Sequence, residues 1–157
     1  MDKGIDNNLF KYDSCGLDYI YLRNGVVKKE TKYGSAVSIH NIESLHRCIG
    51  LEIVKNRPQL SGAEMRFLRK EMDLSQVDLA GLLGVSESTV RNWENDRNKN
   101  NTVSAEILLR SIYLEHVDGD GTIRESIERI AELNRVEWTI GKIEFEENDG
   151  GWHTKAA

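Results

Sequence analysis

Residues 75–96, SQVDLAGLLGVSESTVRNWEND, constrain the fold more than any other stretch of this sequence. Apolar residues at helical spacing on both sides of Gly84 predict two short helices of roughly eight to ten residues. A serine stands where each helix would begin and can cap it, and Gly84 can adopt the left-handed turn between them. Helices this short need a shared core, so we expect Val90 and Trp93 to point inward.

The flanking sequence extends this unit into a mainly helical region. Ser61-Gly62-Ala63-Glu64 has the spacing of a capping box and predicts a helix to about Met72. Apolar spacing predicts two more helices, near residues 107–113 and 122–133. Alternation in VEWTIGKIEF, residues 136–145, predicts a strand that pairs with an N-terminal sheet or with the same strand of a second chain.

The N-terminal third predicts a small sheet followed by one helix. Aromatic and β-branched runs in YIYLRNGVVKKETKYGSAVSI predict antiparallel strands, with Asn24-Gly25 as a two-residue hairpin turn. Isoleucine and leucine spacing predicts a helix over residues 41–55 that Asn41 caps and that ends before Pro58. The predicted fold class is α+β: a small N-terminal antiparallel sheet plus helix, then a mainly helical domain of about five helices and a C-terminal strand. The predicted domains are 1–57 (small α+β), 58–117 (mainly α) and 118–157 (dimerisation).

Two short helices around a glycine turn form a helix-turn-helix, whose second helix can enter the major groove of DNA. The stretch 75–96 resembles the Cro and phage-repressor (XRE) type, which often follows SQxxLAxxLGVSxxTVxxWExG, and the resemblance covers roughly residues 61–115. Asp96 stands where that family commonly has glycine. The resemblance implies a DNA-binding transcriptional regulator.

A wider resemblance involves YDSCGLDYIYLRNG, YGSAVSI, LHRCIG, LSGAEMRFLRKEMDLSQ and STVRNWEND in that order. These segments are similar to the MqsA-like antitoxin group, including members that lack its N-terminal zinc site. The resemblance implies a homodimer that binds a double-stranded DNA operator as a repressor, while the other domain can hold a cognate toxin.

Inward-facing Val90 and Trp93 leave the opposite side of the second helix for contacts with DNA. The family's base-contacting positions correspond to Ser88 and Asn92, and Asn92 can pair bidentately with adenine. Glu87 can accept a hydrogen bond from a cytosine amino group. The predicted base contacts are Glu87, Ser88 and Asn92. Arg91, Arg97 and Lys99 are the predicted phosphate contacts, and the resemblance implies one more by Gln76, which is similar to a glutamine that the family uses to bind a phosphate.

The charge distribution leaves one alternative open. The net charge is −5, with balances of +2 over residues 1–60, −1 over 61–101 and −6 over 102–157. The acidic last third would repel a polyanion or suit a basic protein partner. The alternative is therefore a protein-interaction adaptor whose helix-turn-helix does not bind DNA.

Other classes of function find little support in the sequence. His40, Glu43 and His46 recur at a spacing of three, with Cys15 and Cys48 elsewhere, but no CxxC pair accompanies them, so we expect neither a metal nor another cofactor. No catalytic motif occurs, so we expect no enzyme. The sequence has neither a signal peptide nor a run of roughly 18 apolar residues, which predicts a cytoplasmic protein without a membrane span.

Overall fold

The computed structural model describes residues 8–95, 102–133 and 142–155. Within them lie six helices and three two-stranded antiparallel sheets, which confirms the predicted α+β class. The helices are α1 (Ile42–Asn56), α2 (Gly62–Glu71), α3 (Gln76–Leu83), α4 (Glu87–Asn95), α5 (Val103–Asp118) and α6 (Thr122–Leu133). The strands are β1 (Phe10–Lys11), β2 (Tyr21–Leu22), β3 (Val26–Thr31), β4 (Gly34–Ile39), β5 (Phe145–Asn148) and β6 (Gly151–Thr154).

Helices α1 to α5 share one hydrophobic core. Helix α1 packs against α2 and α5, while α2 and α3 both pack against α4. Burial of each large apolar side chain contributes about 1.5–3 kcal/mol to the free energy of folding, so this core is the main source of stability. Its fully buried members include Met65, Leu68, Leu79, Val90 and Leu109.

The predicted helix boundaries near α2 and α3 are confirmed. Both helices begin with a capping box, Ser61 with Glu64 and Ser75 with Asp78. The hydrogen bonds from Ser75 lower the pKa of Asp78, because they stabilise its charged form. Helix α1 ends at Asn56, two residues before Pro58, as the sequence predicts.

The predicted hairpin turn at Asn24-Gly25 is wrong. Strand β2 pairs with β1, and β3 pairs with β4, so Asn24-Gly25 connects two separate sheets. The two-residue hairpin turn is Lys32-Tyr33, between Thr31 and Gly34. The register places Val26 opposite Ile39 at the base of the hairpin, where both pack against the core. That packing favours this pairing over the one that the turn dipeptide suggests.

Two helix starts differ from the predicted caps. Asn41 precedes α1, but its φ of 50° is left-handed and its side chain makes no capping hydrogen bond. The sequence also offers Thr122 as the cap of α6, but Thr122 is the first residue within the helix. Asp120 Oδ1 accepts from the Thr122 N–H at 3.1 Å. The Glu115 carboxylate accepts from the next two N–H groups of the helix, at 2.6 Å and 2.9 Å. Both helices form without the predicted caps, because α1 packs against α2 and α5 and α6 contacts α3 and α5.

The C-terminal strand prediction is partly outside the described residues, since 136–141 lie between the described ranges. Its last residue, Phe145, begins β5, which pairs with β6 of the same chain. The expectation that this strand pairs with the N-terminal sheet or with a second chain is therefore wrong for β5. The hairpin turn Asp149-Gly150 supplies the partner locally.

No helix in the described part of the chain is long and apolar enough to cross a membrane.

We predict that Gly50→Ala destabilises the core, because α1 and α5 approach closely at this glycine. A Cβ there would lie 1.9 Å from Tyr113 Oη, and Tyr113 is so buried that its pKa rises to about 12. Overpacking of this kind costs about 1–3 kcal/mol, which urea unfolding would measure. The matched control is Gly81→Ala, where the added Cβ meets nothing within 4 Å and helix propensity gains up to about 1 kcal/mol. Equal effects at the two glycines would contradict the close approach.

Candidate nucleic-acid interface

Helix α4 separates a buried face from an exposed one, as the sequence predicts. Val90 is 0% exposed and Trp93 is 7% exposed. Ser88 and Asn92 lie one turn apart on the same exposed face. The exposed residues of this helix include Glu87, Ser88, Arg91 and Asn92. The helix therefore presents a row of polar side chains that the core leaves accessible.

A buried ion pair holds α4 against α2. Arg69 Nε lies 2.6 Å from Glu94 Oε1, and Arg69 Nη2 lies 3.1 Å from Glu94 Oε2. The two side chains are 10% and 1% exposed. Arg69 Nη1 also donates to the Leu74 carbonyl at 2.8 Å. This two-pronged geometry fixes orientation as well as distance, because the guanidinium and the carboxylate must be coplanar.

Gln76 extends the same network to α3. Its Nε2 donates to Glu94 Oε2 at 2.8 Å, so one carboxylate connects three helices. Gln76 is half-buried, and its amide retains a second N–H and a carbonyl oxygen. The bond braces α4, and the contact of Gln76 with a DNA phosphate stays a prediction.

The backbones of α2 and α4 also meet directly. A Cβ on Gly62 would lie 2.3 Å from the Trp93 carbonyl oxygen, so only glycine fits at this approach. At the other end of α4, Ser86 Oγ accepts from the Thr89 N–H at 3.2 Å. Gly84, with a φ of 68°, ends α3 in the left-handed conformation that the sequence predicts. These contacts set the angle between α3 and α4.

The two exposed charged residues of α4, Glu87 and Arg91, form an ion pair with each other. Arg91 Nη2 lies 2.8 Å from Glu87 Oε1, and about half of each side chain is exposed. An exposed pair of this kind contributes only about 0.2–1 kcal/mol, so a phosphate can displace Glu87. The other two predicted phosphate contacts, Arg97 and Lys99, lie outside the described residues, as does Asp96.

Glu64 makes more contacts than its position in the capping box predicts. This fully buried carboxylate belongs to the capping box of α2, but its Oε2 also accepts from Tyr19 Oη at 2.8 Å and from Arg57 Nε at 2.9 Å. Burial, followed by the hydrogen bond to Glu64, raises the pKa of Tyr19. The N-terminal segment is thereby tied to the start of α2. Only the contact to Ser61 is local in sequence, so spacing cannot find the others.

His46, a candidate metal ligand from the sequence, makes hydrogen bonds to other side chains through both ring nitrogens. Its Nε2 lies 2.6 Å from Tyr12 Oη, and its Nδ1 lies 2.7 Å from Glu71 Oε1. Cys15 and Cys48 are free thiols. Over residues 8–95, 102–133 and 142–155, no three His, Cys, Asp or Glu side chains are grouped so as to hold a metal ion.

We predict that Glu94→Gln lowers the free energy of unfolding by about 3 kcal/mol or more, because it leaves the Arg69 charge buried and unpaired. The matched control is Glu87→Gln, which removes an exposed pair and changes stability by less than about 0.5 kcal/mol. Urea unfolding at neutral pH measures both. If the two variants lose equal stability, the Arg69–Glu94 pair does not fix α4.

Comparison with protein families identifies the helical unit. Residues 65–108 match the family model of a helix-turn-helix of the Cro/C1 type, the XRE family. The match begins within α2, ends within α5 and contains all of α3 and α4. No curated protein and no solved structure matches the chain, and the family match does not extend to residues 1–64. Residues 65–108 therefore form a helix-turn-helix that is similar to those of DNA-binding regulators.

Proposed function

We propose that the protein is a sequence-specific transcriptional regulator, a repressor that binds an operator as a dimer. The single observation that supports this most is the division of α4. Val90 and Trp93 are anchored in the core, while Ser88 and Asn92 project from a helix whose orientation buried bonds fix. A rigid helix with free polar groups is what base recognition in the major groove requires.

The roles proposed for the individual side chains follow from their chemistry. The Asn92 amide both donates and accepts, so it can bind adenine bidentately, and the Ser88 hydroxyl is permissive. Glu87 can accept from cytosine once Arg91 turns from it to a phosphate. Gln76 at the start of α3 is the second proposed phosphate contact in the described chain. Arg97 and Lys99 are proposed as further phosphate contacts from their sequence positions alone.

We predict that Asn92→Ala weakens operator binding, relaxes the sequence preference at the base that Asn92 contacts, and leaves the fold intact. Loss of a bidentate base contact costs about 1–3 kcal/mol, or roughly 5- to 150-fold in affinity for DNA from upstream of the protein's own gene. Fluorescence anisotropy at several salt concentrations measures this loss. Asn56→Ala is the matched control, since Asn56 is exposed and bonds only to Glu52 of its own helix. Unchanged binding by the Asn92 variant would contradict the proposed base contact.

A dimer is the proposed state, because one helix-turn-helix contacts only half of a palindromic operator. Six large apolar side chains are exposed on α5 and α6. Val103 (74% exposed) begins α5, and we call the other five the α5–α6 stripe. The stripe consists of Ile107 (59% exposed), Leu114 (39%), Ile123 (42%), Ile130 (60%) and Leu133 (51%). Leu114 and Ile123 line the same shallow cleft, so the surface continues from one helix to the next. Contiguous exposed apolar surface of this kind favours a protein interface, here proposed between two copies within region 118–157 and its neighbour α5.

We predict that wild-type protein sediments as a dimer at micromolar concentration and that Ile130→Glu sediments as a monomer with unchanged helix content. Burying an unpaired carboxylate in an apolar interface costs several kcal/mol. The matched control is Val37→Glu, which places the same charge at an exposed valine of β4. Monomeric wild-type protein would remove the dimer from the proposal.

The antitoxin role is the narrower part of the proposal. It is supported by the similarity of the N-terminal segments to the MqsA-like group. Region 1–57 would then hold a cognate toxin while region 58–117 binds the operator. The test is co-purification with the product of the neighbouring gene: a stable complex that also represses the operon supports this role, and a neighbour that never binds contradicts it.

The charge of the described helix-turn-helix favours a second candidate, the adaptor that does not bind DNA. Residues 61–95 carry four basic and six acidic side chains, a balance of −2. This candidate predicts no binding to DNA from upstream of the gene at any salt concentration, and binding to a basic protein partner instead.

A further inference from the structure

The hairpin formed by β3 and β4 contributes little to the core yet carries a distinct chemistry. Every residue from 27 to 38 is exposed, and Tyr33 at the tip is 100% exposed. Only Val26 and Ile39, at the base, pack against the core. Six-residue strands extend about 20 Å, so the hairpin is an arm that protrudes from the core. Burial in the core does not account for the types of residue at its distal end.

The hairpin is basic, and its lysines are available. Residues 26–39 contain three lysines and one glutamate, a balance of +2. The glutamate, Glu30, accepts a hydrogen bond at Oε1 from the Ser35 hydroxyl, at 2.9 Å. Lys28 Nζ lies 5.9 Å from the centre of the Phe10 ring, which ties the hairpin to β1. No ion pair between described residues involves Lys28, Lys29 or Lys32.

The turn is stiffened so that its tip is presented in one shape. Thr31 Oγ1 donates to the Gly34 carbonyl at 2.7 Å and accepts from the Tyr33 N–H at 3.3 Å. These bonds hold Lys32 and Tyr33 at the end of the arm. An ammonium group and a phenol hydroxyl are both donors suited to phosphate oxygens.

The charge of the hairpin complements what the helix-turn-helix lacks. Sequence-independent affinity for DNA comes from cations that displace condensed counterions at phosphates. The described helix-turn-helix, residues 61–95, has a balance of −2, and its exposed Arg91 is paired with Glu87. Cations outside the helix-turn-helix can therefore add to the affinity that Arg91, Arg97 and Lys99 are proposed to supply.

We propose that the β3–β4 hairpin is a second DNA-binding element that contacts the phosphate backbone through Lys29, Lys32 and Tyr33. This inference rests on the proposed function of α4, which reads the bases. The hairpin adds affinity without sequence preference, and the partner it fits is the duplex that α4 occupies. Two-stranded β-ribbons are among the elements that proteins place against DNA grooves.

The test compares the salt dependence of DNA binding by full-length variants. The probe is random-sequence duplex DNA, together with the duplexes that wild-type protein selects from that pool. For Lys29→Gln/Lys32→Gln, we expect the slope of log affinity against log salt to become shallower by about 1.8 per protomer, since each phosphate contact contributes about 0.9. Binding at about 0.1 M salt should weaken by roughly one to two orders of magnitude. Tyr33→Ala removes no charge, so it should weaken binding several-fold with an unchanged slope.

The control is Lys55→Gln/Lys155→Gln, which removes the same charge at exposed positions on α1 and after β6. If both double variants change the slope equally, or neither does, the hairpin does not contact DNA and the proposal is overturned. If hairpin variants keep wild-type DNA binding but lose a protein partner, the hairpin is a protein-docking arm and the proposal is also overturned. Wild-type binding with an insensitive hairpin leaves the role of α4 standing, whereas wild-type protein that binds no duplex removes both.

Discussion

The Arg69–Glu94 pair determines how the exposed face of α4 is oriented, because it joins α2 to the end of α4 and both side chains are almost fully buried. Such a pair adds little net stability, since the attraction between the charges roughly offsets the cost of removing them from water. Its value is directional. A two-pronged bond tolerates small deviations in angle poorly, and Gln76 adds a third bond to the same carboxylate. Helix α4 is therefore held at a defined angle before any ligand arrives.

Pre-organisation of α4 has a functional consequence. In the proposed complex with DNA, side chains that already have the bound geometry lose less entropy on binding, so more of the energy of each proposed base contact contributes to discrimination between sequences. Gly62 contributes to the same rigidity, because its missing Cβ allows α2 to touch the backbone at Trp93. The nine residues of α4 would be only marginally helical alone, so the surrounding core makes a short helix usable as a probe.

Local patterns in the sequence predict the helices well, whereas contacts distant in sequence escape them. Capping boxes at Ser61 and Ser75, the glycine turn and the inward face of α4 all follow from spacing. The Arg69–Glu94 pair spans 25 residues, and the bond from Tyr19 to Glu64 spans 45, so no periodicity reveals either. The misplaced hairpin turn shows a different limit. Asn24-Gly25 is a good turn dipeptide, but the packing of Val26 and Ile39 at the base decides which strands pair.

NMR of the side-chain amides tests whether the exposed face of α4 contacts DNA as a rigid unit. On titration with a duplex selected from upstream DNA, we predict a large shift of the Asn92 side-chain amide signal. The Trp93 indole signal should stay nearly constant, because its ring remains in the core. Shifts that cluster on other surfaces and leave Asn92 unchanged would contradict this prediction.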